Sequence, residues 1–283
     1  MIIIAPARDY GKEAKYPKPR TFLDIVPLRM LTLSTLSRTW KSIVRKTGRA
    51  IGDFGLIADG DRVVVALSGG KDSWTLLHVL DELRRKAPVD FSLLAVCINP
   101  GFPGFSSDVV EERLSSLGFE YHIEKSNIFK VIQDKKGSLE DTYCSFCARL
   151  RRGVLYRIAR EKGCTKIALG HHADDLMETL LMSAFYNGEL RSMPPKLLAE
   201  DGVNVVIRPL CYVFEEETAA FADEAEIPLI GCGCPVCKGS GQRRYKIKSL
   251  LGDLEEMEPG LKDNLLAALG NLKPKYLMDK RFW

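Results

Sequence analysis

The run Arg62-Val-Val-Val-Ala-Leu67, followed at once by Ser68-Gly-Gly-Lys-Asp-Ser73, restricts this chain more than any other feature. An unbroken β-branched run belongs to a strand covered on both faces, as in parallel sheets flanked by helices. A helical pattern over 72–85 follows the glycines. The alternation then repeats, with strand patterns at 91–98, 120–123, 165–169 and 204–207, and helical patterns at 107–117, 146–162, 174–186 and 215–225. Strands separated by helices of 10 to 15 residues form βαβ units. The expected fold is α/β, a doubly wound parallel sheet. The Gly- and Pro-containing stretch 187–203 is a long connection of the kind that carries function. Apolar and basic residues at helical spacing over 27–49 predict one or two helices ahead of the first strand. The expected organisation is a basic, largely helical extension over 1–55. A catalytic domain over 56–283 includes a Cys-rich segment and C-terminal helices.

A chain of 283 residues has volume for a core that needs neither disulfide nor metal to fold. No apolar run reaches the roughly 18 residues of a membrane span. The opening Met1-Ile-Ile-Ile-Ala5 is shorter than the about 7 to 15 apolar residues of a signal-peptide core. A soluble, cytoplasmic protein with no membrane partner is expected. Net charge is only +4, but residues 1–53 hold eleven Lys or Arg against four Asp or Glu. A basic arm on a near-neutral body suits a polyanion; it also suits a plain solvated helix.

Ser68 to Ser73 sits where the first strand meets the first helix, the place where open parallel sheets bind ligands. Gly69 and Gly70 let a ligand approach the backbone, and the amides at the helix start form a concave set of donors. Lys71 adds a full charge; Ser68 and Ser73 add hydroxyls. The arrangement is a pyrophosphate cradle, though not a Walker A loop. A second candidate segment, Gly170-His-His-Ala-Asp-Asp175, follows the strand at 165–169. Asp174 and Asp175 can cap a helix or hold Mg²⁺ near a triphosphate. His171 and His172 can serve acid–base chemistry or simply orient the turn.

These segments resemble the PP-loop ATP pyrophosphatases, which adenylate a substrate carbonyl and release pyrophosphate. Gly170 to Asp175, Cys144-Ser-Phe-Cys147-Ala-Arg-Leu-Arg-Arg-Gly153, Met193-Pro-Pro-Lys196 and Ile207-Arg-Pro-Leu210 are similar to a narrower branch, the tRNA 2-thiocytidine synthetases and related tRNA thiolases. The resemblance spans about residues 62–250. It implies ATP on Ser68, Gly69, Gly70, Lys71, Asp72 and Ser73, with Gly170 and Asp175 at the nucleotide and Lys71 and Asp175 as catalytic residues. Ala173 stands where the branch often has a polar residue.

Eight cysteines without an export signal are not a disulfide framework. Cys144/Cys147 and Cys234/Cys237 form two Cys-x-x-Cys pairs, a metal or redox pattern. Cys147 and Cys234 have 86 residues between them, too many for a zinc ribbon that folds around its metal. The resemblance implies a [4Fe-4S] cluster on Cys144, Cys147 and a third ligand, which Cys234, followed by Pro, matches best with Cys237 as runner-up, and an open iron that carries sulfide. Four-thiolate zinc is the alternative. Cys97, Cys164 and Cys211 lie in or beside apolar strands and are expected to be packing thiols.

Basic residues flank the cysteines: Arg149, Arg151 and Arg152 on one side, Arg243, Arg244, Lys246 and Lys248 on the other. They suit RNA phosphates or a departing pyrophosphate. Lys273, Lys275, Lys280 and Arg281 add charge near the end of the chain. The leading expectation is an ATP-dependent tRNA sulfurtransferase that replaces a pyrimidine C2 oxygen by sulfur, at cytidine 32 of the anticodon loop. A cysteine desulfurase or another sulfide donor would be a partner, and a homodimer is implied by the resemblance. Two other readings are a zinc-containing ATP pyrophosphatase that passes an amine to the adenylate, and a non-enzymatic nucleotide-dependent RNA-binding module.

Overall fold

The computed structural model describes residues 37–135, 143–230, 243–278 and 280–282. Its strands are β1 (Asp61–Leu67), β2 (Phe91–Asn99), β3 (Tyr121–Lys125), β4 (Lys166–Ala168), β5 (Lys196–Leu198) and β6 (Val205–Ile207). They form one sheet in the order β3-β2-β1-β4-β6-β5, parallel throughout except for the β5/β6 pair. The chain winds outward from β1 through β2 to β3, then returns to the other side of β1 with β4. The switch point therefore lies between β1 and β4, and a crevice opens above their carboxyl ends.

The helices are α1 (Arg38–Phe54), α2 (Lys71–Arg84), α3 (Asp108–Ser116), α4 (Ile128–Asp134), α5 (Tyr143–Glu161), α6 (Ala173–Asn187), α7 (Glu215–Glu224), α8 (Arg243–Met257) and α9 (Leu261–Leu269). Strand alternation splits the core into two layers. Val63, Val65, Leu67, Leu93, Ala95, Ala168 and Ile207 face one side, where they join Ile43 of α1, Trp74 and Leu77 of α2, and Phe221 of α7. Val64, Leu94, Val96 and Ile167 face the other, against Leu155, Ile158 and Ala159 of α5. Each fully buried Val or Leu contributes roughly 1.5–3 kcal/mol, which is why the central strands are apolar on both faces.

The helix expected over 27–49 is Arg38–Phe54 within the described residues; positions 27–36 lie outside them. Ser37 Oγ accepts from the Trp40 amide at 3.0 Å and caps it. Trp40 stacks on Phe221 with ring centroids 4.4 Å apart, and Glu217 of α7 accepts from Ser42 and Lys46, each at 2.7 Å. α1 is therefore docked on the body of the sheet. Two elements depart from expectation. The connection over 187–203 contains β5, whose three residues are all exposed, so no apolar period marks it. α4 buries only Ile128 and Ile132, too few to show a helical repeat. No helix among the described residues is long and apolar enough to cross a membrane.

Candidate active site

The loop over 68–70 joins β1 to α2 directly. Gly69 has φ +84°, a conformation that side chains other than glycine rarely adopt. Gly70 precedes α2 without any side-chain cap. Among the described residues, the amides of Gly69, Lys71 and Asp72 meet no acceptor. Orphan amides at a helix start are a ready anion site, so this loop fits a pyrophosphate. Ser73 Oγ accepts from the Ser68 amide at 3.2 Å and donates to the Gly70 carbonyl at 2.8 Å, while Ser68 Oγ accepts from the Gly70 amide at 3.3 Å. The two serines thus shape the loop from inside.

Lys71 Nζ lies 3.1 Å from both Asp72 carboxylate oxygens and 3.1 Å from Glu215 Oε1 at the start of α7. Burial pulls Lys71 down, but the charges of Asp72 and Glu215 outweigh it and raise its pKa. Burial pushes Glu215 up, yet the hydrogen bond from Lys248 and the Lys71 charge hold it at about 2. Asp72 also accepts from Thr218 Oγ1 of α7 at 2.6 Å.

The second segment faces the first across the switch point. A Cβ on Gly170 would lie 3.0 Å from the Asp72 carbonyl carbon and 3.1 Å from the Ser73 nitrogen. Gly170 is thus required by the close approach of α2's first turn. Asp175 Oδ2 accepts from the His172 amide at 3.1 Å, and its Oδ1 accepts from Arg244 at 3.1 Å. Asp174 is buried; it accepts from the Glu215 amide at 2.7 Å and from Lys262 Nζ at 3.0 Å. His172 Nε2 stands 3.9 Å from Asp72 Oδ1 and 3.6 Å from Asp175 Oδ2, so one ring spans the two carboxylates. His171 is pushed down to about 4, first by burial, with the positive charges of Arg208 and Arg244 adding to it; the Asp175 charge opposes them. It is neutral at neutral pH.

Cys147 is buried beside Phe102, Ile128 and Ile132. Cys144 belongs to the first turn of α5. Cys234 and Cys237, like Cys232, lie outside the described residues. The backbone before them is anchored, because the Ile230 amide donates to the Gly69 carbonyl at 3.0 Å. In a βαβ crossover the helix starts at the carboxyl edge of the sheet. The first turns of α5 and the chain entering 231–242 therefore leave from the edge that holds the pyrophosphate cradle. No group of three or more metal-binding side chains occurs among the described residues. Burial pushes the Cys97 thiol up to about 11 and the Cys211 thiol up to about 12, as packing thiols should behave. Cys164 is only half-buried and lies in the connection between α5 and β4.

The basic residues divide by placement. Arg244 and Lys248 turn inward to Asp175 and Glu215, and Arg243 lies over the Tyr186 ring at 4.8 Å. Arg151 lies over the Phe102 ring at 5.9 Å, whereas Arg149 and Arg152 are exposed. Glu215 and Lys262 stand at this edge, and motif reading missed both, because neither lies in a motif. Arg208 stands there too; it belongs to the Ile207-Arg-Pro-Leu210 segment, which the sequence marked without giving the arginine a role.

The family model of the PP-loop domain matches residues 39–230. The tRNA-cytidine(32) 2-sulfurtransferase of Syntrophotalea carbinolica is 51% identical over 244 residues, covering 86% of this chain and 93% of that protein. The chain belongs to the PP-loop tRNA-cytidine(32) 2-sulfurtransferase family. A second member, from Geobacter sulfurreducens, is 51% identical over 242 residues, covering 85% of this chain and 93% of its own. Among solved structures, the U34-tRNA thiolase NcsA from Methanococcus maripaludis with its [4Fe-4S] cluster superposes with a TM-score of 0.65. It is 26% identical and covers 82% of this chain and 78% of its own. The PP-loop match ends at residue 230, where the chain leaves the Gly69 carbonyl for the Cys-rich segment.

Proposed function

We propose that this chain is an ATP-dependent tRNA sulfurtransferase that converts the C2 oxygen of cytidine 32 in the anticodon loop to sulfur. The observation that carries the reading is the meeting, at one sheet edge, of an orphan-amide cradle with Lys71, the first turn of α5, which includes Cys144, and Ile230, the residue at which the described chain stops ahead of Cys234 and Cys237. The amides of Gly69, Lys71 and Asp72 take the pyrophosphate of ATP, and Lys71 exchanges its carboxylate partners for phosphate oxygens. The pyrimidine C2 oxygen attacks the α-phosphorus and pyrophosphate departs, so a poor leaving oxygen becomes part of AMP. Sulfide then forms the new bond at C2 and AMP leaves with the original oxygen. Asp72 and Asp175, joined through His172, are the carboxylates that would receive a Mg²⁺ ion on the phosphates.

Cys144, Cys147 and Cys234 would hold the [4Fe-4S] cluster, which would supply the sulfide when bound. Soft thiolates suit iron–sulfur chemistry, and Cys147 has the burial that excludes competing water. Neutral His171 orients groups near the base and carries no charge to it. A cysteine desulfurase or free sulfide supplies the sulfur, and a homodimer is the proposed assembly. The zinc and amine-transfer reading is not favoured, because the relatives are sulfurtransferases.

The test is metal and acid-labile sulfide content of protein purified without oxygen, followed by release of AMP and pyrophosphate with and without tRNA. About four irons and four sulfides per chain, with RNA-dependent release and 2-thiocytidine in the product, is the expected result. One bound zinc without sulfide would end the proposal. Cys144→Ala, Cys147→Ala and Cys234→Ala should each lose the iron, while Cys237→Ala retains it; equal loss in both Cys234 and Cys237 variants would point to four thiolates.

A further inference from the structure

Arg208 is a buried cation that makes no ion pair with a carboxylate among the described residues; Asp175 is the carboxylate whose charge reaches it from a distance. Arg208 follows β6 directly and is 8% exposed. One guanidinium nitrogen donates to the Pro194 carbonyl at 2.6 Å; Nε, sealed from solvent, has no acceptor. Among the described residues, no carboxylate makes an ion pair with it. Arginine cannot shed its proton at physiological pH, so its desolvation has to be offset by an anion. Clamping the Pro194 carbonyl accounts for one donor and leaves the rest of the fork unmatched.

Strand alternation tells which side of the sheet this fork occupies. Ile207 belongs to the layer of α2, and Val206 pairs with Ile167, which belongs to the layer of α5. Arg208 is therefore on the α5 side. Tyr156 and Arg152 of α5 are the charged and titratable groups that act on it most, after burial itself. The same alternation places Gly170 against α2 and His171 on the α5 side, and His171 Nδ1 is also buried without a partner. The unmatched nitrogens collect on the face whose helix bears Cys144 and Cys147. The pyrophosphate cradle lies at β1, two strand spacings away, or roughly 10 Å.

We propose that Arg208, with Arg152 and His171 beside it, is a phosphate site that takes a backbone phosphate of the RNA next to the reacting nucleotide. A guanidinium fork matches phosphate oxygens two at a time. A base seated between the cradle and the cysteine helix must bring its own flanking phosphates to this edge, and Arg208 is the buried cation waiting there. This inference rests on the tRNA-modifying reading above and adds to it the anchor for the substrate backbone.

The experiment uses the full-length, cluster-loaded protein and an anticodon stem-loop RNA without ATP. Arg208→Gln keeps a donor for the Pro194 carbonyl and removes the charge. The expected result is weaker RNA binding, with the slope of log affinity against log salt reduced by about 0.7 to 0.9, the loss of one phosphate contact. ATP affinity, measured separately, stays at the wild-type value. A series of RNAs with single methylphosphonate linkages around the target cytidine should contain one that weakens binding to the wild type and has no further effect on Arg208→Gln. If every linkage tolerates neutralisation in the wild type, the proposal falls, whether or not the variant folds. A variant that loses ATP affinity and keeps RNA affinity overturns it in favour of a nucleotide contact. If wild-type protein itself binds no RNA, the failure belongs to the tRNA reading.

Discussion

Gly170 shows how one missing side chain couples the two halves of the site. A Cβ there would press on the carbonyl of Asp72 and the amide of Ser73, both backbone atoms in the first turn of α2. Backbone cannot yield as a flexible side chain does, so Gly170→Ala must displace either the turn after β4 or the cradle. Overpacking of this kind costs about 1–3 kcal/mol. The expected outcome is a lower urea midpoint together with weakened ATP binding by calorimetry. A stable variant with full ATP affinity would contradict the contact. The glycine was legible as a residue that allows close approach. What it approaches was not, because the loop after β1 and the turn after β4 lie about a hundred positions apart in the chain.

At the scale of elements, the C-terminal helices act as a charged brace behind the crevice. α8 supplies Arg244 to Asp175 and Lys248 to Glu215, while α9 supplies Lys262 to Asp174. Asp174 in turn accepts the Glu215 amide at the start of α7, and Glu215 holds Lys71. A chain of contacts thus runs from α9 to the lysine of the cradle. Lys262→Met leaves the buried Asp174 carboxylate with one donor fewer. Removal of one partner from a fully buried pair costs about 3–5 kcal/mol; Lys262 is 26% exposed, so the loss falls below that range. The expected result is a reduced unfolding midpoint and, through Glu215 and Lys71, weaker ATP binding. An unchanged ATP affinity in a destabilised variant would limit the brace to a stability role. Sequence patterns indicated helices near the chain's end, but an isolated cationic residue on a helix reads as solvated until its partner is known.

For the whole molecule, acid stability follows from how the core and the crevice treat protons. Burial pushes His78 down to about 4, amid Trp74, Phe119 and Phe221, and Arg113 adds to the effect. His171 is likewise pushed down to about 4. Both titrate near 6.5 when the chain unfolds. Below that pH the unfolded chain gains protons that the folded state refuses, so stability falls from pH 6.5 to about 4 and then levels. Glu215 has the opposite history: held at about 2 against 4.5 unfolded, it contributes stability above 4.5 that is lost as pH falls towards 2. Urea midpoints should therefore drop in two stages on acidification. His78→Phe, which keeps an aromatic ring in the cluster, should flatten the first stage; an unaltered slope would remove His78 from the account. By itself the sequence determined the alternating strands, the cradle at the switch point, the Gly170 segment and the two Cys-x-x-Cys pairs. These are short-range patterns, set by periodicity and by residue chemistry over a few positions. Tertiary structure alone decided that Lys71 is held by Glu215 across 144 positions, that Lys262 braces Asp174 across 88, and that Arg208 Nε is buried with no acceptor among the described residues. Those facts arise from which elements meet at the sheet edge, and no local pattern records a meeting between distant segments.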